Sequence, residues 1–142
     1  MKLATLLTIL LAIGLSPDYP SGSTSRPSDT NDSIFQSYGF PSHPNLTHLC
    51  SQRVYGSGKE ISWDAFASYS RPSKLVDYYT RKIGHAGLTK DGKGGVWRLP
   101  ADAPRPGRVL EIVPVGKDNP SSACRKSPPR NSRAIIIISR MS

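Results

Sequence analysis

Hydrophobic and polar positions change rhythm several times along the chain. Leu3 to Leu15 is apolar except for Thr5, Thr8 and Gly14. Residues 17–47 hold no sustained period, and 17 of these 31 residues are Ser, Thr, Pro or Gly. From Ile61 to Ser68 the pattern alternates. Ile61, Trp63, Ala65 and Ala67 share one face at period two, Ser62, Asp64 and Ser68 share the other, and Phe66 is out of pattern. That alternation predicts a half-buried strand. Leu75, Val76, Tyr79 and Ile83 then recur at helical spacing, as one stripe of an amphipathic helix. Ser70 is placed to cap it, Pro72 suits its first turn, Arg81 and Lys82 complement the dipole of its last turn, and Gly84 stops it. The spacing predicts a helix over 72–83.

Beyond the helix the pattern shortens. Thr89 to Gly95 is turn chemistry, and its Gly92-Lys93-Gly94-Gly95 run leads into a strand rather than a helix, which excludes a P-loop. Val96 to Leu99 predicts a short strand, the Pro-rich stretch 100–107 a loop, and Val109 to Val113 a strand ended by Pro114. A long polar loop, 116–131, carries Cys124. The closing run from Arg133 to Arg140 holds four consecutive isoleucines. Such a run does not alternate, so both of its faces require cover, which predicts a central strand. Arg133 and Arg140 flank it as charged gatekeepers. A further short strand is expected at Arg53 to Tyr55. The order implies an α+β domain, with one helix packed on a small, mainly antiparallel sheet of four to five strands.

These rhythms divide the chain into three. Met1-Lys2 ahead of a 13-residue apolar run has the form of a secretory leader, assigned to residues 1–16. The run is shorter than the roughly 18 apolar residues of a membrane span. Ala12-Ile13-Gly14 supplies the small-x-small cleavage pattern. Residues 17–47 read as a disordered linker, because their composition buries too little apolar surface to offset ordering entropy. Within them Ile34, Phe35, Tyr38 and Phe40 form an apolar island, expected to dock on the domain edge as a strand or turn. Residues 48–142 read as the folded domain. Export to the periplasm or the extracellular space follows from the leader.

Compartment gives the two cysteines a meaning. In an exported protein Cys50 and Cys124 are expected to pair. The bridge would close a loop of about 75 residues, worth roughly 4 kcal/mol in the chain-entropy account. His48-Leu49-Cys50 lacks the paired spacings of a zinc module, and His43, His48 and His85 have no companions at ligand spacing, so no metal site or cofactor is expected.

Charge then narrows the partner. The chain carries 19 Lys+Arg against 10 Asp+Glu, a net charge of +9. Residues 50–142 hold 17 of the basic and 7 of the acidic residues, so the positive charge belongs to the domain. A sustained positive field concentrates anionic partners. Candidates are anionic lipid, glycan or another envelope polymer, and nucleic acid, met by a monomer or weak homodimer. Aromatic residues among basic ones can stack on rings and grip phosphates. On that ground Arg71, Lys74, Tyr78, Arg98, Arg105 and Arg108 are the candidate anion-binding residues, whereas Trp63, Trp97 and Tyr79 fall at core-facing positions.

No catalytic constellation is evident, and the leading expectation is a non-enzymatic binding or envelope-associated domain. A small hydrolase of cell-wall or polysaccharide substrate is the alternative, because Asp64 and Glu111 could approach across the sheet as paired carboxylates. A third reading is an assembly component that pairs through the Ile-rich strand. Asn31-Asp32-Ser33 and Asn45-Leu46-Thr47 have the form of glycosylation sequons.

The stretch from Ile61 through Leu75-Val76-Asp77-Tyr78-Tyr79 to Gly84, then Gly95-Val96-Trp97 and the late Ile/Ser-Arg strand, resembles small exported bacterial domains. They share a strand–helix–Tyr–Gly–Trp–strand pattern and are often found in lipoproteins. The resemblance spans about residues 50 to 140 and implies a fold, with no functional residue to carry over. This chain has no Cys after the apolar run to serve as a lipid anchor. A thiol assay on the exported protein checks the cysteine reading: zero free thiols are expected, and two would exclude the bridge.

Overall fold

A computed structural model describes residues 27–102, 104–116 and 123–142. The expected leader and the first part of the expected linker, up to residue 26, lie outside the described residues. The elements are α1 (Pro27–Tyr38), β1 (Leu46–Gly56), β2 (Lys59–Ser68), α2 (Pro72–Ile83), β3 (Leu88–Asp91), β4 (Gly94–Leu99), β5 (Gly107–Pro114) and β6 (Ala134–Met141). All six strands join one antiparallel sheet in the order β1-β2-β6-β5-β4-β3. The class is α+β, with two helices and six strands where the sequence pattern gave one helix and four to five strands.

The isoleucine run behaves as its lack of alternation requires. β6 lies inside the sheet, paired with β2 on one side and β5 on the other. Ile136 and Ile138 enter the core under the helices, and Ile135 and Ile137 enter a second core on the opposite face. Both edges of β6 are hydrogen-bonded within the chain. It is therefore not a free edge for another chain to pair with, and the assembly reading loses its element.

The larger core packs Phe35 of α1 and Leu75, Val76 and Tyr79 of α2 on Phe66, Trp97, Leu110, Ile112, Ile136 and Ile138. α2 matches its expected span. Its N-cap is Arg71, which makes no side-chain cap bond, in place of the expected Ser70. Ser70 instead gives its backbone N–H to Ser68 Oγ at 3.2 Å. At the other end Gly84 takes φ 93°, which glycine adopts without a Cβ penalty, and its carbonyl accepts the Trp97 indole N–H at 3.0 Å. A core tryptophan thus ties the helix stop to β4.

The largest departure from the sequence pattern is α1. Residues 27–45, expected to be linker, fold onto the domain. Asn31, Ile34, Phe35 and Tyr38 recur at helical spacing, Pro27 stands at the first position, and Gly39 ends the helix at φ 73°. The Gly39 N–H bonds the Gln36 carbonyl and the Phe40 N–H bonds the Phe35 carbonyl, the paired closure of a Schellman motif. The apolar island is therefore a helix and its cap, with Phe35, Tyr38 and Phe40 buried, rather than a strand or turn at the edge. Buried Asn31 donates to the Leu46 carbonyl at 2.8 Å and clamps α1 to β1. That engagement leaves the Asn31 sequon inaccessible in the folded chain.

On the opposite face Leu49, Ala65, Ala67, Ile135, Ile137 and Cys124 form the second core, flanked by Cys50, Trp63 and Val113. Cys50 and Cys124 are bonded, with Cα atoms 5.6 Å apart. The bridge holds the segment that carries Cys124 against a sheet face that, among the described residues, no helix covers. Among the described residues, no helix is long and apolar enough to cross a membrane.

Two outcomes follow for denaturation experiments. Phe35→Ala should cost about 3–5 kcal/mol, as for other fully buried aromatics. A chain beginning at residue 48 should be far less stable than the full chain, and equal stability of the two would show that α1 lies outside the core.

Candidate anion-binding site

One irregularity in β1 sets up the buried polar cluster. The register between β1 and β2 shifts between His48 and Cys50, so Leu49 is an extra residue in β1. Without that bulge, His48 and Cys50, two apart, would share a face. With it, His48 pairs with Phe66 on the helix side, while Cys50 pairs with Ala65 on the side of Cys124. The imidazole reaches the Asp64 carboxylate, and the thiol reaches its disulfide partner.

Asp64 is buried beneath α1. Its Oδ2 accepts the Tyr38 hydroxyl at 2.7 Å, and its Oδ1 accepts from His48 Nε2 at 2.9 Å and from the Ser51 hydroxyl. Burial by itself would raise the pKa of this carboxyl, but the hydrogen bonds from His48, Ser51 and Tyr38 outweigh it, so Asp64 titrates below its ordinary range. Tyr38 is pushed up to about 12, first by burial and then by its bond to the carboxylate. Serine, histidine and aspartate meet here, yet not in a nucleophilic relay. A relay sets the imidazole between hydroxyl and carboxylate, with one nitrogen for each. In this cluster the carboxylate takes both groups on one oxygen, and His48 Nε2, which must carry its proton toward Asp64, cannot accept from Ser51. The cluster fixes α1 to the sheet.

The hydrolase pairing is also corrected by register. Asp64 lies opposite Ile138, whose side chain enters the helix-side core, whereas Glu111 lies opposite Ile137, on the other face. The sheet separates the two carboxylates, and they do not converge.

One step toward the sheet end, the helix-side positions become basic. Arg53, Ser62, Arg140, Arg108 and Leu99 are successive cross-strand partners, a single transverse row over β1, β2, β6, β5 and β4. Arg140 and Arg108 are direct neighbours on adjacent strands, a like-charge pairing that costs stability unless it is offset. Arg140 is held by three features of α1 and β2. Its Nη1 donates to the Ser37 carbonyl in the last turn of α1, its Nε donates to Ser62 Oγ, and its guanidinium lies 5.2 Å from the Tyr38 ring centroid. Arg108 is only 9% exposed. Its Nη1 donates to Asp102 Oδ1 at 3.2 Å, while its Nε is buried with no hydrogen-bond partner among the described residues.

These groups enclose a cleft of about 450 Å³ between the C-terminal turn of α1, at residues 36–40, and the side chains of Arg105, Arg108 and Arg140. Gly39 forms part of its wall. A Cβ there would stand 3.5 Å from Arg108 Nε and 3.9 Å from Arg105 Nη1, so glycine leaves open the space in front of the guanidiniums. Among the described residues the ion pairs are His48–Asp64 and Arg108–Asp102, which leaves Arg105 and Arg140 with no carboxylate. Three guanidiniums facing one cleft can fork around an oxyanion with paired hydrogen bonds.

The expected anion-binding residues scatter over the fold. Arg105 and Arg108 share the cleft. Arg98 lines a separate apolar groove at the same end of the sheet. Arg71 lies at the opposite end, near Lys90, Lys93 and Arg133 around the start of α2, and Lys74 is exposed on α2. Tyr78 is half-buried rather than free. Its hydroxyl donates to the Ser42 carbonyl at 2.6 Å and its ring meets His43 edge-on, so it anchors the segment after α1. Arg140, which completes the cleft, shows itself in the sequence only as a gatekeeper, and Arg53 only as part of a strand. Their shared row is the signal that places them, and it exists only once strand register is known.

No protein-family model matches the chain, and neither curated proteins nor solved structures give a significant match.

Asp64→Asn should destabilise the fold by about 1–3 kcal/mol, as expected when charge-assisted hydrogen bonds to a buried acceptor are weakened. A carboxyl with a depressed native pKa stabilises the fold above the unfolded value near 4 and loses that contribution as pH falls through the native value. Melting curves across pH should therefore show the wild type and the Asn variant converging in acid. Tyr38 has the opposite sign: its contribution is complete below about pH 10 and is lost toward 12.

Proposed function

We propose that the protein is an exported, non-enzymatic binding domain that takes an anionic partner in the cleft of Arg105, Arg108 and Arg140. The observation that carries this reading is the Arg108 guanidinium. It is nine-tenths buried, keeps an unmet N–H, and stands beside a second arginine on the neighbouring strand. A buried charge with an unsatisfied donor is costly. An oxyanion in the cleft offsets the Arg108–Arg140 repulsion, which gives the site a reason to prefer the bound state.

Export is supported by the Cys50–Cys124 bond, because structural disulfides persist in oxidising compartments. The wider positive charge, with 17 basic residues against 7 acidic ones over residues 50–142, would steer an anion toward the cleft. Anionic lipid, acidic or sulfated glycan, another envelope polymer and nucleic acid all present the required oxyanion.

Calorimetric titration with glycerophosphate tests the cleft itself. Saturable binding that weakens with added salt is expected. Arg105→Ala and Arg108→Ala should each weaken it by roughly tenfold or more, the loss of a charge-assisted contact of about 1.5–3 kcal/mol. Arg71→Ala and Lys74→Ala, away from the cleft, should bind as the wild type does. Absence of saturable binding, or equal loss from all four variants, would overturn the reading.

A further inference from the structure

The sheet end that carries the arginine cleft also displays apolar side chains. Val54, Ile61 and Met141 are 56%, 43% and 50% exposed. They are successive cross-strand partners over β1, β2 and β6, so they form one apolar row on the face opposite the arginine row. Tyr55, 69% exposed and next along β1, falls on the arginine face near the tip of the β1–β2 hairpin. A groove of about 390 Å³ runs from Ile61 and Met141 past Leu99, Pro100 and Val109, and Arg108 and Arg140 line it as well as the anion cleft. The oxyanion cleft and the apolar groove therefore flank the same two residues, Arg108 and Arg140, from opposite faces of one sheet end.

Charge at this end is one-sided. Arg53, Lys59, Arg98, Arg105, Arg108 and Arg140 stand against Glu60 and Asp102. A soluble polyanion would use the arginines and leave the apolar row in water. An anionic bilayer surface uses both. Its phosphates lie at the depth where arginine heads and a tyrosine ring are favoured, and aliphatic side chains reach the acyl boundary just beneath. We propose that this end of the sheet docks on an anionic phospholipid surface, with a lipid phosphate seated among Arg105, Arg108 and Arg140 and the row Val54, Ile61, Met141 entering the interface. The proposal rests on the anion-binding reading above and adds the membrane as the source of the anion.

Sedimentation of the disulfide-bonded chain, as exported, with vesicles of phosphatidylcholine alone or mixed with phosphatidylglycerol tests it. Binding to the mixed vesicles and little to phosphatidylcholine is expected. The double variant Val54→Asp with Met141→Asp should lose roughly tenfold or more of the vesicle affinity, because the apolar row can no longer enter the interface. Its glycerophosphate binding should be unchanged. Val54→Ser with Met141→Gln should show the same pattern more weakly, and it stands in if the first pair fails to fold. Glycerophosphate binding without vesicle binding would overturn the membrane proposal and leave the anion cleft standing. Loss of both would sink both readings. Tight binding of a sulfated glycan or single-stranded DNA that ignores the Val54 and Met141 changes, with vesicle binding equally unaffected, would assign the cleft to a soluble polymer instead.

Discussion

β6 is apolar on both of its faces, and the other elements are arranged to cover it. Four consecutive isoleucines place Ile136 and Ile138 on one side of the sheet and Ile135 and Ile137 on the other. Burial of each such side chain stabilises the fold by roughly 1.5–3 kcal/mol, provided that water is excluded from both sides at once. β2 and β5 therefore flank β6, the two helices cover one face, and the segment bearing Cys124 covers the other. The disulfide matters for the same reason. It fastens cover over a sheet face that, among the described residues, has no helix to fill it.

The helix-side cover is polar where the sheet is polar. Ser62, Asp64 and Ser68 read from the sequence as a solvent face, yet they are buried with Phe66 beneath the helices. A carboxylate can be buried here because α1 brings the Tyr38 hydroxyl and the Leu49 bulge brings His48, so each oxygen of Asp64 has a donor. The bulge also turns Cys50 toward Cys124. One extra residue in β1 thus orients both the polar cluster and the covalent bridge, on opposite faces of one sheet.

Charge concentrates where the apolar cover ends. Past the Asp64 row the core gives way to Arg53, Arg140 and Arg108, and α1 presents the Ser37 carbonyl and the Tyr38 ring to the middle one of the three. Those contacts hold Arg140, while among the described residues Arg105 has no carboxylate and the Nε of Arg108 has no hydrogen-bond partner. The opposite face of the same sheet end is apolar and exposed. The amphipathic character of that end arises from strand alternation itself, since neighbouring residues on β1, β2 and β6 point alternately to the arginine side and to the aliphatic side.

The sequence by itself determined the α+β class, α2 and its glycine stop, the interior place of the isoleucine strand and the pairing of the two cysteines. Each follows from local periodicity, from an expected compartment or from a count, and none needs to know which strands are neighbours. The helix at Pro27–Tyr38 was also present as a pattern, in the spacing of Asn31, Ile34, Phe35 and Tyr38 and the stop at Gly39. A composition rich in Ser, Thr and Pro concealed it, because helices in proteins are stabilised by the face they bury more than by propensity. Only the tertiary structure decided that Asp64 and Glu111 are separated by a sheet and that Tyr78 is an anchor. It alone brought Arg105 and Arg140 to Arg108. Those facts depend on register and strand order, which join residues far apart in the chain. A shift of one residue in a strand would send its side chains, Asp64, Glu111, Arg108 and Arg140 among them, to the opposite face.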